Sequence, residues 1–125
     1  MGNLLDTHTL IWFMNGNDQL SSKARKQIEN GTNYVSIASL WEIAIKISIG
    51  KLKLHFSYPS ILEQLTENNF DILPITFEDT LSISTLGFHH RDPFDRILIA
   101  QSINNKLQLI TKDESFGLYN IEVIW

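Results

Sequence analysis

The sequence predicts an α/β domain built on a mostly parallel sheet, and three observations carry that prediction. Short β-rich apolar runs alternate along the chain with segments of helical period. No internal repeat, low-complexity tract or linker interrupts them. The length of 125 residues, with 43% hydrophobic and 19% charged, suits one globular domain spanning residues 1–125.

Asn3-Leu4-Leu5 is a short apolar strand running into Asp6. Thr7 to Met14 then reads as a helix, closed by the turn residues Asn15-Gly16-Asn17-Asp18. Ser21 or Ser22 can cap a second helix, which Gly31 ends. Tyr34-Val35-Ser36-Ile37 is the next strand. Leu40, Ile43, Ala44 and Ile47 recur at i, i+3, i+4 and i+7, a helix stopped by Gly50. Residues 51–58 stay ambiguous, since Leu52, Leu54 and Phe56 alternate with Lys51, Lys53 and His55 as a strand would. Ser60 to about Asn68 looks helical, and Phe70 to Ile75 reads as a third strand.

Thr76 with Asp79 can box the start of another helix. Phe88-His89-His90-Arg91 is a loop, after which Asp92 is a good N-cap and Pro93 sits at the first helical position. That helix runs to about Asn105, with Ile97, Leu98 and Ile103 as its buried residues. Leu107 to Thr111 is a strand leading to Asp113, and Ile121 to Trp125 forms a last edge strand.

Composition narrows the chemistry. The chain has no cysteine, which excludes disulfides, thiolate metal sites and cysteine nucleophiles. Its longest wholly apolar run, Leu10 to Met14, is far short of the ~20 residues that span a bilayer. No basic region followed by an apolar stretch is seen at the start, so no signal peptide is expected and a cytoplasmic location is the expectation. The net charge of −4 argues against gripping nucleic acid by bulk electrostatics.

In a parallel α/β sheet, ligands bind beyond the carboxyl ends of the strands. Asp6 ends the first strand, Glu42 falls in the first turn of the helix after the second, Asp95 lies in the first turn of the helix capped by Asp92, and Asp113 follows the strand ending at Thr111. Clustered carboxylates repel one another, and a hard cation such as Mg²⁺ or Mn²⁺ is the usual resolution. Such a site can polarise a phosphodiester. Each acid also has a plainer use. Glu42 can box with Ser39 or pair with Lys46, Asp95 can answer a helix dipole, Asp6 can cap a helix, and Asp113 can turn a loop. Glu78 and Asp79 satisfy the same rim argument, so spacing alone leaves the membership open.

Four segments, in order, carry a resemblance: Leu4-Leu5-Asp6-Thr7-His8; Val35 through Ala44 around Glu42; His89-His90-Arg91-Asp92-Pro93-Phe94-Asp95-Arg96 running on to Gln101; and Leu109-Ile110-Thr111-Lys112-Asp113. Together they resemble the PIN-domain ribonucleases, specifically the VapC-type toxins of bacterial toxin–antitoxin pairs. The resemblance implies a three-layer α/β/α sandwich and metal-dependent hydrolysis of RNA. It carries the acidic site over onto Asp6, Glu42, Asp95 and Asp113, as catalytic residues and ligands of Mg²⁺ or Mn²⁺. It also places the Thr beside the last acid, Thr111, on phosphate or on water at the ion. A homodimer and an inhibitory antitoxin are the partners it implies, and Trp or Ile exposed on the first two helices would agree with that. Two alternatives stay open: a PIN-like module that only binds proteins, and a metal-dependent phosphatase, which would want a second Asp where His8 stands.

Overall fold

A computed structural model describes residues 1–125. Five strands form one sheet: β1 (Asn3–Leu5), β2 (Asn33–Ser36), β3 (Phe70–Leu73), β4 (Gln108–Ile110) and β5 (Val123–Ile124). All neighbours are parallel, in the order β3-β2-β1-β4-β5. Six helices connect them: α1 (Thr7–Asn15), α2 (Ser22–Asn30), α3 (Ile37–Ser48), α4 (Ile61–Glu67), α5 (Phe77–Ser84) and α6 (Pro93–Asn105).

Alternation along the strands builds two cores. Leu5, Val35 and Ile110 face one side, where they meet Leu10 and Ile11 of α1, Ile28 of α2, Leu40 and Ile43 of α3, and Leu65 of α4. Leu4 and Leu109 face the other, against Ile97, Leu98 and Ile99 of α6 and Phe116 beyond β4. The expected α/β/α sandwich is therefore present, with an all-parallel sheet as its middle layer. A fully buried leucine such as Leu10 is worth about 2–5 kcal/mol against alanine.

The crossovers leaving β1 and arriving at β4 run on opposite faces, since α1 and α2 pack on the first core and α6 on the second. β1 and β4 are hydrogen-bonded neighbours, so the gap above their carboxyl ends is the topological switch point. At the opposite end, Asn3, Asn33 and Gln108 stand in one register row and are all buried. Asn3 Nδ2 donates to Asn33 Oδ1 (2.9 Å) and to the Gln27 carbonyl (3.1 Å), while Gln108 Nε2 donates to Asn3 Oδ1 (2.6 Å). Glycine is required at position 31, because a Cβ there would come within 2.5 Å of Asn3 Nδ2.

Several expected elements take a different form. Residues 51–57, left ambiguous by the sequence, form no strand: they find no ladder partner, and Leu52, Leu54 and Phe56 lay alternate side chains on the first core. β2 passes directly into α3, whose N-cap is Ser36 through Ala38 N–H, not Ser39. Glu42 accordingly sits in the second turn of that helix rather than the first. Ile103, expected in the core, is 41% exposed. The Thr76–Asp79 capping box, the Asp92 cap with Pro93 behind it, and the edge position of β5 are all as expected.

Candidate active site

Asp6, Glu42, Asp95 and Asp113 all line one cavity of about 190 Å³ at the switch point. Thr7, His8, Lys46, Asp92 and Phe116 complete its wall. Larger hollows exist elsewhere, including one of about 420 Å³ walled by Trp41, Tyr58 and Leu62, but that one contains no acid.

Asp6 is nearly buried and caps α1, its Oδ1 accepting from Thr9 N–H at 2.8 Å. Its Oδ2 accepts from the Thr111 hydroxyl at 2.5 Å, a bond that crosses from β4 to β1. Burial pushes its carboxyl above the ordinary range, against the pull of the Thr111 and Thr9 hydrogen bonds and the nearby His8. Glu42 Oε2 stands 3.2 Å from Lys46 Nζ, one turn along α3.

Asp113 is held by three donors. Ser115 N–H (2.9 Å) and Ser115 Oγ (2.5 Å) both donate to its Oδ1, and His90 Nε2 approaches Oδ2 at 3.2 Å. Burial alone would raise this carboxyl, but the Ser115 and His90 bonds outweigh it and hold the group below its ordinary value. Asp95 differs from the other three because its carboxylate has no partner. The Asp92 cap serves its backbone N–H, not its side chain. Burial first, then the charge of Asp92, push the Asp95 carboxyl up to about 7; His90 pulls the other way, and the charges of Asp6 and Glu42 add smaller upward pushes.

The rim is thus an acid cluster in which Lys46, the Ser115–His90 pair and two threonines each bond one member, leaving Asp95 without a bonded partner. Its donors are hard carboxylate oxygens, a set that fits a divalent cation. No three of these side chains are yet gathered closely enough to hold one ion. Glu42 and Asp113 remain turned toward their own partners.

Thr111 has a different place from the expected one. It is buried, donates to Asp6 and accepts from Asp113 N–H at 3.1 Å, so it ties the two acids together instead of facing phosphate. Arg96 is not a surface charge. Its guanidinium is buried and donates to the carbonyls of Gly87 and His90 (both 3.2 Å), Ile83 (3.3 Å) and Leu86 (3.5 Å), bracing the loop that carries His90. His90, read as a loop residue, lies buried against Phe116 and Tyr119. The ionised Asp113 carboxylate can only accept, so His90 presents Nε2–H to it and to Ser115, and a neutral ring leaves Nδ1 to accept from Tyr119 Oη (3.3 Å), which itself accepts from His89 N–H (3.0 Å). Nothing in the local sequence signals either burial, since both depend on partners many residues away.

The profile of the PIN domain matches residues 4–121, nearly the whole chain and all four acids. The chain belongs to the PIN-domain family. It is 27% identical over 111 residues to the ribonuclease VapC22 of Mycobacterium tuberculosis, covering 88% of this chain and 85% of that protein. Among solved structures, VapBC2 from Rickettsia felis bound to a promoter DNA fragment superposes with a TM-score of 0.71 at 16% identity, covering 98% of this chain and 97% of that one. A toxin–antitoxin complex from Klebsiella pneumoniae gives 0.68 at 18% identity, over 99% and 97% of the two chains. These structures share the α/β fold of this chain.

Proposed function

We propose that this PIN-domain protein is a divalent-metal-dependent ribonuclease and the toxin of a toxin–antitoxin pair. The observation that carries the reading is the four-carboxylate cavity at the β1/β4 switch point, in which the Asp95 carboxylate has no hydrogen-bond or salt-bridge partner. The ribonuclease name of the Mycobacterium relative and the toxin–antitoxin assembly of the Klebsiella one point the same way.

Asp6 and Asp95 are the residues to hold the cation, with Glu42 and Asp113 completing its surroundings; Mg²⁺ or Mn²⁺ suits these oxygens. When bound, the ion supplies neutralisation of the rim and Lewis-acid polarisation of the phosphodiester. The rest belongs to the chain. Thr111 fixes the rotamer of Asp6 and, through the Asp113 N–H, the entry of the last acid. Once Glu42 turns inward, Lys46 is free to meet a phosphate oxygen. The N-termini of α1 and α6 open at the same rim and oppose the charge that spreads over phosphorus during in-line attack.

An antitoxin and a second copy of the chain are the protein partners of this reading. Ile37, Trp41 and Ile45 of α3, with Ile49 at its C-cap, form an exposed outward row, whereas no large apolar side chain is exposed on the first two helices. The test is cleavage of total cellular RNA by purified protein with Mg²⁺ or Mn²⁺, beside EDTA and Asp6→Asn controls. Discrete fragments that require both metal and Asp6 are expected. A metal-independent pattern, or one that survives in Asp6→Asn, would overturn the assignment.

A further inference from the structure

A chain of net charge −4 cannot hold RNA by its overall field, so the strand must be gripped locally. One surface at the cavity mouth has the chemistry for that grip. His8, the second residue of α1, is exposed and lines the acid cavity. One turn further along the helix, Trp12 stacks on it, with ring centroids 5.7 Å apart and planes 22° from parallel. Trp12 is itself wedged against Trp125 at 5.8 Å and 59°, and half-buried against the first core. Lys112, the neighbour of Asp113, places its ammonium 5.9 Å over the Trp12 ring.

The arrangement has three consequences. His8 is backed by a rigid indole, so its ring keeps one orientation with little rotamer entropy left to lose. Its other face meets no aromatic partner, which leaves an open π surface at the rim. Lys112 sets an ammonium beside that ladder, a cation suited to a phosphate on the same strand. An aromatic face next to a cation is how proteins hold single-stranded nucleic acid without reading its hydrogen-bonding edges.

We propose that His8, backed by Trp12 and flanked by Lys112, is a stacking subsite for the RNA base adjoining the scissile phosphate. The inference rests on the ribonuclease reading and adds to it the contact that holds the flanking nucleotide. It requires the RNA to be single-stranded at that point, because a base inside a duplex has both faces covered by its stacked neighbours. It also makes the contact tolerant of base identity, with Lys112 contributing charge and not sequence preference.

The experiment uses a short single-stranded RNA spanning a site that the wild-type protein cleaves, and measures its binding to the full chain in an Asp95→Asn background. His8→Ala should weaken binding ~5–100-fold, the range of one lost base–aromatic stack. His8→Phe should bind as the parent does, since the flat ring is kept and the imidazole chemistry removed. An abasic nucleotide beside the scissile position should reproduce the loss, and His8→Ala should add nothing further on that oligonucleotide. Because His8 is exposed, these variants should melt with the parent. Unchanged affinity in His8→Ala, or His8→Phe binding as poorly as His8→Ala, would overturn the subsite while leaving nuclease activity standing. RNA binding untouched by His8→Ala while a protein partner is lost would also overturn it and give the surface to that partner. Failure of the wild-type protein to cleave any RNA would overturn both readings together.

Discussion

Replacing Asp95 by Asn should make the metal-free protein more stable while abolishing its metal-dependent chemistry. Burial and the charges of Asp92, Asp6 and Glu42 raise the Asp95 carboxyl from 3.8 to about 7. Between those values the folded chain keeps a proton that the unfolded chain releases, so stability falls as pH rises through that window. Above pH 7 the whole penalty is present. At 1.36 kcal/mol per pH unit the interval corresponds to at most ~4 kcal/mol, and solvent screening of a half-open carboxyl reduces this to roughly 2 kcal/mol. Asparagine is nearly isosteric and carries no charge, and the Asp95 side chain makes no hydrogen bond that the change would sacrifice. For a 125-residue domain that amounts to an increase in Tm of about 7 °C at pH 8 in EDTA. Differential scanning calorimetry at pH 5 and pH 8 reads the effect: the wild type should lose stability between the two, and the variant much less. Adding Mg²⁺ at pH 8 should recover stability in the wild type only, since a ligand that binds the folded state stabilises it. A variant no more stable than wild type at pH 8 without metal would refute the claim that the ionised Asp95 carboxylate is held at a net cost.

Thr111→Val removes the donor to Asp6 and the acceptor of Asp113 N–H, leaving a buried carboxylate oxygen short of a partner. It should cost about 1–3 kcal/mol in urea unfolding and drive the Asp6 carboxyl still higher. Arg96→Ala strips four carbonyls of a buried cationic donor, and should cost ~3 kcal/mol or more and raise amide hydrogen exchange across residues 87–91. Tyr119→Phe removes the hydroxyl that donates to His90 Nδ1 and so supports the Nε2–H tautomer. The imidazole ¹⁵N shifts should move away from an Nε2–H pattern, and the Asp113 carboxyl, now less well held, should titrate higher in a ¹³C experiment. Unchanged imidazole shifts in that variant would show that Tyr119 does not support the tautomer.

What the sequence made legible follows from how locally each feature is determined. Caps such as Ser21, Thr76 with Asp79, and Asp92 with Pro93 involve partners within three residues, and all are present as read. The acids fall at the rim because strand ends and helix starts are themselves local features, and parallel pairing brings those ends to one edge. The sequence is silent or ambiguous where a side chain's surroundings come from afar. Leu52, Leu54 and Phe56 have the alternation of a strand because every second residue rests on the core, yet a strand also needs a ladder partner, and none is available there. Arg96 resembles any helical arginine until the loop of residues 83–90 folds its carbonyls over it. Thr111 follows β4 in a position suited to meeting a substrate, and only the closeness of β1 reveals that Asp6 claims its hydroxyl.

The amide row of Asn3, Asn33 and Gln108 has a reach beyond its own end of the sheet. Apolar strand residues would tolerate sliding by two positions, because alternation returns the same face to the same core. An interlocked set of buried amides does not, since any slip strands a donor without an acceptor. The row therefore works as an indexing pin for β1, β2 and β4. With Asn3 set against Gln108, Leu5 must meet Ile110, and the next residues in line, Asp6 and Thr111, come within bonding distance. The spacing of the acids at the front of the sheet is set from the back, and a change such as Gln108→Leu could blur the site while touching none of its residues.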